Sequence, residues 1–353
     1  MILKNSPLYI EDIESVLRLK CDFSKLNKKT VLITGATGLI GSVVVDMFLL
    51  VADKFDISLT LLLISRHCDQ KIEQRKSILI KSIKCDVSNC IPSEIFSEKI
   101  DFIIHLASNV HPKQYAEFPV ETIKTNVFAT ESLLDLASRN YGCRFVLASS
   151  VEIYGNASEK CDGGFSENDF GYLDCNTERA CYNESKRLCE TLCQAYKSEK
   201  SVDIVIARFC RCYGPTLKKD DTKALSQFIA NAVSRENIVL KSSGNQYFSY
   251  LYSADAASAL IFLMLNGING EAYNVSDKKS NIRLRELASL VAESCGLEVV
   301  FELASESEKK GYSKAETAIL NPLKINCLGW IAQFEISSGI KRTIEILQGD
   351  FSG

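Results

Sequence analysis

Histidine is scarce in this chain, with three residues in 353, and no Cys-x-x-Cys pair occurs. Zinc ribbons and fingers need thiolate and imidazole ligands clustered at short spacing, so none is expected and no metal site is assigned. The chain also lacks a basic block. Its 41 Lys and Arg are scattered among 44 acids, for a net charge of −3. Neither nucleic acid nor an anionic membrane surface is therefore an expected partner. Apolar stretches such as Leu59 to Ile64 are far too short to cross a bilayer. The opening Met-Ile-Leu-Lys-Asn-Ser-Pro lacks the charged region, apolar core and small-residue cleavage site of a signal peptide, so a cytoplasmic protein is expected. Internal repeats and low-complexity segments are absent too. The fourteen cysteines are read as reduced thiols serving as small apolar residues; Cys210 and Cys212 alternate as strand neighbours do, which is poor zinc geometry.

What is present begins at residues 31–41, Val-Leu-Ile-Thr-Gly-Ala-Thr-Gly-Leu-Ile-Gly. An apolar run opens into Gly35, Gly38 and Gly41, and the helical pattern Val43-Val44-Val45-Met47-Phe48 follows at once. This predicts a strand, a tight turn and a helix whose exposed N–H groups and dipole suit a dinucleotide pyrophosphate. Glycine turns there with positive φ and admits the ligand without a Cβ in the way.

The rest of the chain alternates strand-like and helical runs. Strands are expected at 30–34, 59–64, 79–85, 101–106, 143–149 and 203–209, and helices near 40–53, 113–140 and 179–199. Long helical crossovers between strands give an α/β fold, a Rossmann-type doubly wound parallel sheet. After Arg208 the rhythm changes, with helices near 222–234, 253–266, 282–295 and 336–347 and short strands near 237–240, 271–275 and 298–302. The expected organisation is an N-terminal extension (1–29, with a helix around Ile10 to Leu19 packed outside the main fold) and a dinucleotide-binding domain (30–208). A smaller C-terminal α/β substrate lobe (209–353) is interleaved with the last strands of the sheet. Ligand is expected in the cleft between them, beyond the carboxyl ends of the strands.

A second constellation is Tyr182-Asn183-Glu184-Ser185-Lys186, which stacks a phenol and an ammonium on one helix face. Tyrosine is a poor base at neutral pH, but a neighbouring cation and an oxidised nicotinamide both favour the phenolate. The pair can then take a proton from a hydroxyl while hydride leaves the same carbon. Alone, Tyr-x-x-x-Lys is common on solvated helices. Upstream, Phe145 to Ser150 reads as a buried strand ending in two hydroxyls. Ser150 there is placed either to hydrogen-bond a reacting oxygen or to satisfy the strand end.

Taken together the sequence resembles the extended short-chain dehydrogenase/reductase family, the NAD(P)-dependent nucleotide-sugar epimerases and dehydratases. The resemblance runs from about Lys29 to Leu347. It rests on Thr34 to Gly41, Cys85-Asp86-Val87, His105-Leu106-Ala107-Ser108, Thr125-Asn126-Val127, Ser149-Ser150-x-x-x-Tyr154-Gly155 and Tyr182-x-x-x-Lys186. Tyr213-Gly214-Pro215, Tyr273-Asn274-Val275 and Leu328-Gly329-Trp330 extend it. It implies that Gly35, Thr37, Gly38, Leu39, Ile40 and Gly41 hold the cofactor, that Asp86 takes the adenine amino group with Val87 beside the ring, and that Leu106, Ala107, Ser108 and Asn126 line the cofactor site. It further implies Ser150, Tyr182 and Lys186 as a catalytic triad, with Tyr182 and Lys186 also touching the cofactor. The implied chemistry is transient oxidation of a nucleotide sugar at C4, in a homodimer joined by a four-helix interface. Outcomes within that frame are epimerisation or 4,6-dehydration, with decarboxylation or simple 4-keto-sugar reduction as alternatives. A non-catalytic NAD(P) sensor is the alternative of another class.

Three places depart from the family pattern. Dehydratases of the family often carry Asp-Glu after the catalytic hydroxyl residue; here it is Val151-Glu152. Glu152 remains a candidate second base, or a residue that hydrogen-bonds substrate or caps a turn, whereas valine donates no proton. In the diphosphate clamp, Arg211 stands where an asparagine is usual and Phe248 where an arginine is usual, with Tyr250 close by as a substrate-binding candidate. Arg211 is expected to take over part of the clamp, or to pair with an acid of the smaller lobe. At the end of the second strand, Ser65-Arg66-His67 replaces the usual acid. NADP is therefore preferred over NAD, with Arg66 binding a 2′-phosphate; the alternative is that Arg66 stacks on adenine, which is compatible with NAD.

Overall fold

The computed structural model describes residues 3, 6–66, 77–89, 91–109, 112–156, 163–218, 221–302 and 315–350; His67 and His111 lie outside them. The strands of the first half are β1 (Lys29–Thr34), β2 (Leu59–Ser65), β3 (Ile78–Lys84), β4 (Phe102–His105), β5 (Arg144–Ser150) and β6 (Asp203–Phe209). Those of the second half are β7 (Arg211–Tyr213), β8 (Ile238–Leu240), β9 (Tyr247–Tyr252), β10 (Ala272–Val275), β11 (Asn281–Arg283), β12 (Val299–Phe301) and β13 (Thr317–Ala318). Seven of them form one parallel sheet in the order β10-β6-β5-β4-β1-β2-β3. The order reverses between β1 and β4, which places a crevice beyond their carboxyl ends. The central strands are continuous apolar runs because both faces are covered; Val31, Leu32 and Ile33 are fully buried.

The helices of the first half are α1 (Pro7–Glu14), α2 (Gly41–Phe55), α3 (Pro112–Glu117), α4 (Pro119–Arg139) and α5 (Cys181–Lys200). α6 (Ala224–Val233), α7 (Ser253–Asn266) and α8 (Leu284–Cys295) follow. α2 and α7 share one core cluster, while α4 and α5 bury Ala129, Leu133, Cys189 and Cys193 in the cluster on the opposite face. Each fully buried Val, Leu or Phe there contributes roughly 1.5–3 kcal/mol. Buried thiols such as Cys143, Cys189, Cys193 and Cys210 are free, as expected of small apolar fillers.

Two expectations are corrected. The segment read as one helix over 113–140 is α3 and α4, broken at Phe118-Pro119. Proline occupies the first turn of a new helix, and Phe118 sits at φ −131°, ψ 60°, outside the helical region that a following proline disfavours. The N-terminal segment does not pack outside the main fold. Tyr9, Ile13 and Val16 are buried in the same core as β1 and α2, and Asp12 accepts from Arg342 Nε at 2.6 Å and from Tyr252 Oη at 2.5 Å.

β10, though late in sequence, is the seventh strand of the main sheet, next to β6. The chain leaves β6 at Cys210 and runs straight into β7, which pairs with β9 in a second sheet β11-β9-β13. β8 and β12 form a separate two-stranded sheet. Arg211 therefore stands at the hinge between the two sheets. Among the described residues no helix is long and apolar enough to cross a membrane.

Candidate active site

The turn after β1 is built as its glycines suggest. Gly35 has φ +71°, and a Cβ on it would lie 2.9 Å from the Ala107 nitrogen. Gly41 packs against Gly35, whereas a Cβ on Gly38 would meet only the Gly35 carbonyl oxygen, at 3.2 Å. The loop is thus tight on its inner side and open at Gly38, three residues before α2 begins at Gly41. Such a cradle fits a pyrophosphate. Thr37 and Ser65 hydroxyls meet at 3.1 Å, tying the loop to the end of β2, and Thr216 donates to the Leu39 carbonyl at 2.6 Å, tying it to the segment after Pro215. Ile40 precedes α2 in helical conformation. Arg66 is exposed beside Ser65.

The opposite wall is equally ordered. Thr34 Oγ1 accepts from the backbone of Leu106 and Ala107, both at 3.2 Å, and lies 2.8 Å from His105 Nδ1. His105 is buried and held neutral, its pKa lowered to about 3 by burial and by the Lys186 charge. Ser108 donates to Asn126 Oδ1 at 2.6 Å, and Asn126 donates to Ser185 Oγ at 2.8 Å, so Asn126 bridges the loop after β4 to α5. Val87 is buried, and Asp86 Oδ1 accepts both Ser88 donors.

The catalytic candidates converge. Ser150, at the end of β5, accepts from Glu152 N at 3.2 Å, which leaves its hydroxyl hydrogen to donate elsewhere. Lys186 is buried and donates to the Ala148 carbonyl at 2.9 Å; burial lowers its pKa. Its ammonium lies 5.9 Å from the centre of the Tyr182 ring. Burial pushes the Tyr182 phenol well up, while the Ser150 and Ser108 hydroxyls beside it pull the other way. Tyr154, Arg208 and Asn274 are scaffold. Arg208 donates to Tyr154 Oη at 2.8 Å and to Glu190, and Tyr154 donates to Asn274 Oδ1 at 2.7 Å.

Glu152 and Arg211 meet across the cleft. Asn183 donates to Glu152 Oε2 at 3.1 Å, and Arg211 Nη2 lies 3.7 Å from Oε1. The partner of Arg211 is thus an acid of the dinucleotide-binding half, not of the smaller lobe. Its guanidinium stacks 3.5 Å from the centre of the Phe248 ring, and Tyr250 is its register partner on β9. Tyr250 is pushed up to about 12 by burial, against the pull of Arg211. Sequence reasoning missed two neighbours. Tyr115 on α3 packs on Tyr182, ring centres 5.4 Å apart, and Arg179 stacks over Tyr115 at 4.4 Å. Arg179 could have been noticed three residues before Tyr182, in the 3-10 turn Glu178–Ala180 that leads into α5; nothing in sequence marked Tyr115.

A model of the NAD dependent epimerase/dehydratase family matches residues 31–276. The chain belongs to that family. It is an enzyme of the NAD-dependent, nucleotide-sugar-converting kind, and its sheet is the Rossmann-type sheet expected from sequence. It is 27% identical to UDP-glucuronic acid decarboxylase 1 of Xenopus tropicalis, over 91% of this chain and 72% of that protein. To UDP-glucuronic acid decarboxylase 6 of Arabidopsis thaliana it is 30% identical, over 88% of this chain and 86% of the relative. The fold matches UDP-glucose 4-epimerase of Thermotoga maritima with TM-score 0.76, at 19% identity over 91% of this chain and 99% of that one. It matches the NAD-bound dTDP-glucose 4,6-dehydratase of Streptomyces venezuelae equally, at 0.76 and 21% identity, over 92% and 98%.

Proposed function

We propose that this enzyme oxidises a nucleotide-linked uronic acid at C4 and releases carbon dioxide from it, with UDP-glucuronic acid as the first substrate to test. The observation that carries this reading is the Glu152–Arg211 pair beside Ser150 and Tyr182. A dehydratase needs a proton donor for the departing hydroxyl, and the adjacent Val151 is apolar and buried. The decarboxylase relatives support the same outcome.

In this reading NAD or NADP, when bound, would supply the hydride acceptor and donor for C4, and its positive charge in the oxidised form would favour the Tyr182 phenolate. Tyr182 removes the C4 hydroxyl proton, Ser150 donates to the C4 oxygen, and Lys186 holds the ribose and the local positive charge. The C4 ketone makes the sugar a β-keto acid. Its C5–C6 bond breaks, carbon dioxide leaves, and the electron pair passes to the C4 enolate, which takes a proton at C5. Tyr182 returns its proton to the C4 oxygen as hydride comes back. That proton comes from water, and Glu152 is the residue assigned to relay it to C5.

Gly35 to Gly41 would cradle the pyrophosphate, Asp86 Oδ2 and Val87 the adenine, and Leu106 to Ser108 the nicotinamide side, with Asn126 holding Ser108 in place. Ser65 and Arg66 offer no carboxylate to repel a 2′-phosphate, which supports NADP over NAD. A homodimer through α4 and α5 is supported by their exposed Val120, Ile123, Phe128 and Leu188. Incubation with UDP-glucuronic acid and mass spectrometry test the reading. A product lighter by one carbon dioxide is expected; a product of unchanged mass would mean an epimerase instead.

A further inference from the structure

Two guanidinium nitrogens near Tyr182 are buried without a hydrogen-bond partner among the described residues: Arg179 Nε and Arg211 Nη1. Such groups are costly to leave unmade, by about 1–3 kcal/mol each and more when charged, so each calls for an acceptor. Both arginines act on one ring. Arg179 stacks on Tyr115, and Tyr115 is pushed up to about 12 by burial while Arg179 and Arg211 pull it down and Glu152 pushes it up. Arg179, Arg211 and Lys186 carry three positive charges around Tyr115 and Tyr182. Glu152 is the carboxylate that answers Arg211.

We propose that Arg179 and Arg211 form an anion subsite beside Tyr115 that takes the C6 carboxylate of the sugar and so selects uronic acids over neutral sugars. This rests on the decarboxylase reading above. Position decides between the two anions of such a substrate. C1, which bears the diphosphate, lies across the pyranose ring from C4, whereas C6 is two bonds from it. The subsite adjoins Tyr182, which reacts at C4, since the Tyr115 and Tyr182 rings are 5.4 Å apart. The carboxylate, not the diphosphate, falls within its reach. Arginine suits it because a planar fork pairs with a carboxylate through two N–H bonds.

The test is calorimetric titration of the purified, cofactor-loaded protein with UDP-glucuronic acid and with UDP-glucose. Wild type is expected to prefer the uronate by roughly tenfold or more, as charge-assisted bonds allow. Arg211→Asn and Arg179→Gln are each expected to erase most of that preference while changing UDP-glucose affinity less than about threefold. Retained UDP-glucose binding reports an intact fold; Arg211→Lys and Arg179→Lys, which keep the charge, serve where it is lost. Equal losses for both ligands would assign the arginines to the diphosphate and overturn the proposal, as would a preference that survives. If the preference behaves as expected but no carbon dioxide is released, the subsite stands and the reaction assignment alone fails. Carbon dioxide release without arginine-dependent preference sinks the subsite alone.

Discussion

Arg211 lies over Phe248, its guanidinium carbon 3.5 Å from the ring centre. Both are positions where the sequence resemblance implies a different residue in the diphosphate clamp; the third, around Lys309-Lys310-Gly311-Tyr312, lies outside the described residues. Phe248 on β9 is the aromatic platform, and Arg211 on β7 is the cation resting on it. A stacked cation of this kind is worth roughly 0.5–2 kcal/mol and is fixed in orientation, which aims Arg211 at Glu152. Phe248→Arg would set two guanidiniums against each other. Its expected effect is a KM for UDP-glucuronic acid raised by about tenfold or more, read by steady-state kinetics, with the fold retained.

Tyr182→Phe removes the proton acceptor and little else, since the ring remains against Tyr115. The turnover number is expected to fall by roughly 10²–10⁴, the usual contribution of a positioned acid–base group, with substrate affinity changed little. Turnover at the wild-type rate would assign the proton transfer to another group.

Arg66 stands exposed directly after β2, and neither it nor Ser65 is an acid. Arg66→Ala is expected to weaken NADP binding by about tenfold and leave NAD binding nearly unchanged, measured by fluorescence titration. Equal affinities of wild type and variant for NADP would assign Arg66 elsewhere.

Asp255 gives a pH signature. It is buried in the first turn of α7, accepts from Gln333 and Phe334 N–H at 2.8 and 2.9 Å, and is raised to about 7, burial outweighing those bonds. An acid whose folded pKa exceeds its unfolded value binds more protons when folded. Its contribution is therefore full below the unfolded value near 4 and is lost as pH rises towards about 7. The raised Asp12 acts in the same direction. Urea denaturation should show stability falling over this window at these sites, and Asp255→Asn should flatten that fall; an unchanged slope would contradict the assignment.

The exposed apolar face of α4, with Ile123 and Phe128, tests the dimer. Ile123→Lys together with Phe128→Glu is expected to shift the protein from dimer to monomer in analytical ultracentrifugation. A monomeric wild type would remove the four-helix arrangement.

How far sequence reached depended on whether a feature was local. β6 spans Asp203–Phe209 as its apolar run predicts, and α2 starts at the last glycine of the loop, because both follow from neighbouring residues. Phe118-Pro119 carried the break between α3 and α4 openly, yet the apolar period on either side masked it. β7 and β13, three and two residues long, carry no period to detect. The Glu152–Arg211 pair joins the end of β5 to the exit of β6, and the Tyr115–Tyr182 contact joins α3 to α5. Such pairings arise from the packing of the two sheets, so the sequence named the residues but not their partners.

The central claim is oxidation at C4 with the hydride returned to the same carbon. It is tested most directly with UDP-glucuronic acid deuterated at C4 and NMR of the product. The account predicts a decarboxylated UDP-pentose that keeps deuterium at C4, formed without net accumulation of reduced cofactor. Loss of the label from C4, or one equivalent of reduced cofactor per turnover, would contradict it.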